Sequence, residues 1–176
     1  MLFDQTAYRA STVLATLLLG LMAGFFFAFW VDVAPAMTHL DADSYISTQQ
    51  WINKVVRSIP FGATYFGSTF FALVPALFAA ANRRWVLAGT WGLLAVVYFA
   101  GVFWFTRNIN IPINDQMALW NPLAPPADWA ALRDTWNVAN AQRTLVAVLC
   151  FAAALVITAL PGRSLERTSA AKQSAA

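Results

Sequence analysis

The sequence predicts an all-α fold, a four-transmembrane-helix bundle with an amphipathic helix in the first outer loop and a fourth helix extended beyond the membrane. Three observations lead there. Of the 176 residues, 60% are hydrophobic and 11% charged, against roughly 45–50% apolar and 25% charged in soluble domains. Four apolar runs, at about residues 10–31, 59–81, 85–106 and 140–161, match the roughly 20 residues a helix needs to cross about 30 Å of hydrocarbon. The remaining polar side chains concentrate in two connecting stretches, residues 32–57 and 107–143. Residues 1–162 are expected to form one membrane domain and residues 163–176 a small, polar, disordered cytoplasmic tail.

Taken in order, the first run carries Gly20 and Gly24 four residues apart, a small-residue face on which another helix can approach closely, within the bundle or in a homo-oligomer. Phe25, Phe26, Phe27, Phe29 and Trp30 place aromatic bulk near one membrane interface. Pro35 lacks an amide donor and disfavours helix just before it, so residues 32–39 are not expected to form one regular helix. From Asp41, a candidate N-cap, Tyr45, Ile46, Ile52, Val55, Val56 and Ile59 recur at helical spacing. Gln50, Asn53 and Arg57 line up on another face of that helix. Two readings of this face stay open, a solvated surface or a binding surface.

The second run holds Pro60 near its start and Pro75 inside it, where a kink is expected. The connection Asn82-Arg83-Arg84 is very short, and its two arginines favour the cytoplasmic side by the positive-inside rule. Arg9, Arg163, Arg167 and Lys172 agree, which places both termini in the cytoplasm and both long loops on the opposite face. The bias is six basic residues against five.

A net charge of +3 comes from eleven Lys and Arg scattered over helix ends. With no basic run or face, nucleic acid is not an expected partner; the lipid bilayer is. The single cysteine, Cys150, lies in the last apolar run and has no second cysteine to pair with. The single histidine, His39, has Asp32, Asp41 and Asp43 nearby in sequence but none of the recognised ligand spacings, so no metal is expected. Phosphate loops, nucleophile elbows and dinucleotide fingerprints are missing as well, and no cofactor is predicted.

Chemistry is expected where the second polar stretch meets the first. Asn110-x-Pro112-x-Asn114 predicts an extended segment with both amides on one side, offering donors and acceptors to carbonyl or phenol oxygens, or else capping helix ends. After Pro122, Pro125 and Pro126, Asp128 caps a helix on which Trp129, Leu132, Trp136, Asn140 and Arg143 follow one stripe into the fourth span. Arg143 either snorkels to the interface or pairs with Asp115, or it faces the bundle interior and marks a site. The candidate catalytic residues are thus Arg143 and Asn140, with His39 or Asp115 as proton carriers. Candidate binding residues are Asn53, Asn110, Asn114, Trp136, Gln50 and Arg57. Trp51, Trp104, Trp120 and Trp136 are candidates to stack on an aromatic ring.

Gln50-Trp-Ile-Asn53 before Pro60, Asn110-x-Pro112-x-Asn114-Asp115 after the third span, and Trp136-x-x-x-Asn140-x-x-Arg143-Thr144 entering the fourth together resemble the anthrone oxygenase-like integral membrane family, over about residues 10–160. The resemblance implies a four-helix protein of a bacterial inner or plasma membrane. Named members are linked to oxygenation of anthrones to anthraquinones. The family's recurrent positions fall on Asn53, Asn110, Pro112, Asn114, Trp136, Asn140 and Arg143.

Two functions from different classes follow. One is an oxidoreductase acting, without a cofactor, on a planar aromatic, anthrone- or quinol-like compound in a pocket under the outer loops. The other is a non-catalytic membrane binding or assembly subunit. A proton-coupled exporter fits less well, because Asp32 and Asp115 lie at or beyond the helix ends.

Overall fold

The computed structural model describes residues 5–159; the expected tail at 163–176 lies outside them. The described chain is helical in the order α1 (Gln5–Ala28), α2 (Ala34–Met37), α3 (Ala42–Val55), α4 (Ile59–Phe71), α5 (Val74–Ala81), α6 (Trp85–Tyr98), α7 (Ile111–Ala118) and α8 (Trp129–Ala159). π-helical turns at Phe29–Val33, Phe99–Trp104 and Thr106–Asn110 join α1 to α2 and α6 to α7. Four continuous segments are long and apolar enough to cross a membrane: Gln5–Met37, Ile59–Ala81, Trp85–Ala118 and Trp129–Ala159.

The spans differ in length, and that difference builds the site. At one end Tyr8, Ala79 and Leu87 pack together with Ile157 beside them, so all four spans are level there. The second span has 23 residues and the others 31 to 34. At about 1.5 Å per residue, the long spans therefore project beyond the start of the second span at the opposite end. α3 fills the gap by running back along α7 to Ile59. Asp41 caps it as expected, its carboxylate accepting from the Ser44 amide at 2.8 Å, a bond that holds the Asp41 carboxyl below the usual range.

Two cores follow from this shape. The bundle core contains Leu19, Met22, Phe26, Trp91, Tyr98, Val102, Ala147 and Cys150. A second core at the projecting end contains Phe29, Met37, Tyr45, Ile46, Ile113, Met117 and Trp136, and fixes α3 against α7 and α8. Burial there pushes the Tyr45 hydroxyl up to about 12. Gly20 faces Phe151 of α8, where an added Cβ would lie 2.7 Å from Cε2, whereas Gly24 meets nothing within 4 Å. Gly20 thus serves packing inside the chain, while Gly24 faces open space.

Prolines depart from expectation fully at Pro112 and in part at Pro35, where residues 32–39 pass from a π turn to α2 to a turn and so are not one regular helix. Pro75 does interrupt its span, with a turn at Ala72 and Leu73 between α4 and α5. At Pro35 and Pro112, however, the helix runs on. In each case a π turn lies immediately upstream, and its wider winding accommodates both the missing donor and the ring's clash with the preceding turn. The segment from Asn110 to Asn114 is consequently helical, and residues 32–37 are helical too.

Candidate functional site

The π turn at Thr106–Asn110 sets the position of three polar side chains. Four residues along an α-helix overshoot one turn by about 40°, whereas a π turn rotates less per residue. Thr106 to Asn110 spans a π turn and Asn110 to Asn114 an α turn, so the two deviations oppose each other. Thr106, Asn110 and Asn114 stay on one face, the alignment expected for the asparagines from an extended strand but reached by helical winding. Opposite them on α8, Trp136, Asn140 and Arg143 follow one stripe, as predicted, and all three are buried.

Between these faces, α1, α3 and α4 lies a partly open cavity of about 400 Å³. Its apolar wall is Phe25, Phe26, Phe29, Ile52, Val56, Phe61, Ile111 and Trp136; its polar groups are Gln49, Asn53, Arg57, Tyr65, Thr106, Asn114, Asp115 and Arg143. Arg143 is the central charge. Its residue is 8% exposed. Nε and Nη2 donate to Asn140 Oδ1 at 3.1 and 2.9 Å, and Nη1 donates to Thr106 Oγ1 at 3.3 Å. The guanidinium lies 4.4 Å from the centroid of Phe26 and 5.5 Å from that of Trp136.

All of these partners are neutral. Burying a cation costs several kcal/mol even after relaxation, and two ring contacts return about 0.5–2 kcal/mol each. Three of the five guanidinium N–H groups are used, leaving donors and a net positive charge beside the cavity. Further polar atoms are buried with no hydrogen-bond partner among the described residues: Asn53 Nδ2, Trp136 Nε1 and Asn114 Oδ1 on the cavity wall, and the Asn110 amide and Asn140 Nδ2 behind it. Buried polar atoms are normally paired, so the three on the cavity wall are free to pair with a bound molecule.

Asp115 does not pair with Arg143. It meets Arg57 at 3.4 Å across the cavity rim, both side chains largely exposed, where such a pair contributes little. Gln50 lies off the cavity and instead ties α3 to the end of α7, its Nε2 donating to the carbonyls of Met117 and Trp120 at 3.0 and 2.9 Å. Asn110 and Asn140 are fully buried behind the wall. His39 is exposed in the turn before α3 and does not line the cavity. Trp51 and Trp104 face outward, and of the four candidate stacking tryptophans only Trp136 lines the cavity. Among the described residues no three of the His, Cys, Asp and Glu side chains come together.

Gln49, Tyr65, Thr106 and the phenylalanines of α1 were not expected. Gln49 is 2% exposed and donates to Asn53 Oδ1 at 3.3 Å. Its signal was present in the spacing: Gln49 and Asn53 fall on the same stripe as Tyr45, Ile46 and Ile52, so two amides occupy the buried face of α3. Val55 and Ile59, read as part of that face, are instead exposed.

The fold and this site define a class: a four-helix membrane protein whose projecting helices enclose an aromatic-walled cavity around a buried arginine. The model of the anthrone oxygenase family matches residues 57–159, more than half of the chain, and the chain belongs to that family. The matched part includes the second to fourth spans, with Asn110, Asn114, Trp136, Asn140 and Arg143, and leaves out α1, α2 and α3. No curated protein and no solved structure matches the chain.

Proposed function

We propose that this protein is a membrane oxygenase that takes up a planar, ionisable aromatic compound of the anthrone or quinol type in the cavity beside Arg143. The observation that carries the reading is the buried guanidinium with neutral partners only. A site that holds an uncompensated cation against aromatic walls favours an anion whose charge is spread over flat rings, as in a phenolate or enolate. Phe26, Phe29 and Trp136 give such rings apolar contact, and Asn53 Nδ2 and Trp136 Nε1 offer donors to further ring oxygens.

The reaction runs through that anion. A ring CH₂ next to a carbonyl-bearing ring system loses a proton to a base, for which Asp115 at the rim is the candidate, and the electron pair delocalises onto the oxygen beside Arg143. The carbanion carbon then bonds to dioxygen and, after protonation, forms a hydroperoxide. Loss of water converts C–H and O–OH into C=O, so one oxygen atom enters the product and the other leaves as water. Dioxygen is the oxidant, and the chain's residues bind, orient and stabilise the anion. The positive-inside bias supports a cavity end that faces away from the cytoplasm.

Oxygen uptake by the purified protein with an anthrone as substrate tests this reading, compared with product formed under anaerobic conditions. Turnover is expected only with oxygen, and Arg143→Ala is expected to lower the rate by about 10²–10³-fold, the usual loss for one charge-stabilising donor. Unchanged oxygen consumption in that variant would remove Arg143 from the mechanism.

A further inference from the structure

We infer that the cavity opens toward the lipid bilayer rather than toward water, and that the last turns of α3 are seated in the lipid leaflet at that end, so that ligands enter sideways between α1 and α4. The inference starts from helix levels. Counting about 1.5 Å per residue from the layer of Tyr8, Ala79 and Leu87, Ile59 lies about 30 Å away, close to the thickness of the hydrocarbon core. Phe29 on the first span and Thr106 on the third fall at a similar height. The cavity therefore sits at the membrane boundary, where the second span has only begun and the other three continue outward.

The surface of α3 agrees with that level. Trp51 and Val55, one turn apart on α3, are 63% and 68% exposed, and Ile59 at the start of α4 is 89% exposed, while the buried stripe of α3 faces α7 and the cavity. Large apolar side chains in such a row are costly in water. Their row runs directly into Phe66, Phe70, Leu73 and Leu77, the exposed apolar face of the second span. Lys54 lies 4.8 Å from the centroid of Trp51, an interfacial pairing in which the ring sits at the headgroup level and the ammonium reaches phosphate. The other end of α3 begins with Asp41, Asp43 and Ser44, all exposed, so the helix dips from water into lipid along its length.

Neighbours of this row line the cavity: Ile52 and Val56 beside Trp51 and Val55, and Phe61 beside Ile59. Phe25, 42% exposed on the lipid-facing side of α1, meets Phe61 in the first turns of α4 with ring centroids 5.1 Å apart, and both line the cavity. Ile52 and Val56 continue the apolar edge. The ion pair of Arg57 and Asp115 marks the edge that faces water. An amphiphilic aromatic dissolved in the leaflet would meet Phe25 and Phe61 first and reach Arg143 behind them. This rests on the cavity being a ligand site, but the seating of α3 is tested without any ligand.

Nitroxide labels at Val55→Cys, Phe25→Cys and Asp43→Cys, each in a Cys150→Ala background and reconstituted into phosphatidylcholine–phosphatidylglycerol vesicles, provide the test. Collision with dioxygen, which concentrates in lipid, is compared with collision with a water-soluble nickel chelate. The oxygen-to-nickel ratio is expected to be several-fold higher at Val55 and Phe25 than at Asp43. Equal ratios at the three positions, or a water-like ratio at Val55 or Phe25, would overturn the inference. The exposed Val55 and Asp43 positions keep the comparison valid if the Phe25 variant folds poorly. A lipid-like result with no anthrone turnover would reject the catalytic reading alone.

Discussion

Two nitrogens of Arg143, Nε and Nη2, converge on the single oxygen Oδ1 of Asn140, one helical turn away, at 3.1 and 2.9 Å. A neutral amide holds the guanidinium in place and leaves its charge intact. Asn140→Asp therefore separates geometry from charge. The carboxylate keeps both bonds, strengthens them and neutralises Arg143, so the thermal midpoint is expected to hold or rise while binding of anionic aromatics falls. Asn140→Leu, which strips a buried cation of two of its three hydrogen bonds, is expected to destabilise the fold by about 1–3 kcal/mol. Thermal unfolding and ligand titration of the two variants side by side check this.

The close approach of the third and fourth spans depends on Gly101, where an added Cβ would lie 2.7 Å from Cγ1 of Val146. Val146 is β-branched and stiff, so it gives way poorly. Gly101→Ala is expected to cost about 1–3 kcal/mol by overpacking, whereas Gly24→Ala, with open space around it, should be near neutral. Unfolding in denaturant compares the two.

At the tight turn between α5 and α6, Arg83 has φ of 58°. Its amide bonds to the Ala80 carbonyl and that of Arg84 to the Ala79 carbonyl, both at 2.9 Å, closing the helix in the geometry that usually recruits glycine. Arg83→Gly is expected to raise stability by about 1 kcal/mol through relief of the left-handed conformation, seen as a higher thermal midpoint.

Much of this was legible in the sequence. The four spans, the cap at Asp41, the interruption at Pro75 and the stripe from Trp136 to Arg143 all follow from hydropathy and spacing, which act locally. The prolines misled because their effect depends on the turn before them: Pro35 and Pro112 sit downstream of π turns, and composition does not announce a π turn. Gln50 and Gln49 illustrate a second limit. They are neighbours in sequence but lie about 100° apart on a helix, so one reaches α7 and the other the cavity. Aromatic residues were ambiguous for a third reason. In a membrane protein, lipid and an internal cavity are both apolar, and only the packing distinguishes Trp51, which faces outward, from Trp136, which faces in.

The central claim is that the buried charge of Arg143 selects an ionised ring system. Calorimetric titration with 4-nitro-1-naphthol, a planar phenol, across the pH range of the probe's own ionisation tests it most directly. The account predicts an affinity that rises by about tenfold or more, roughly 1.4 kcal/mol, as the phenolate forms, and a flat profile in Arg143→Gln. Equal affinity of the native protein for the neutral and ionised forms would contradict it.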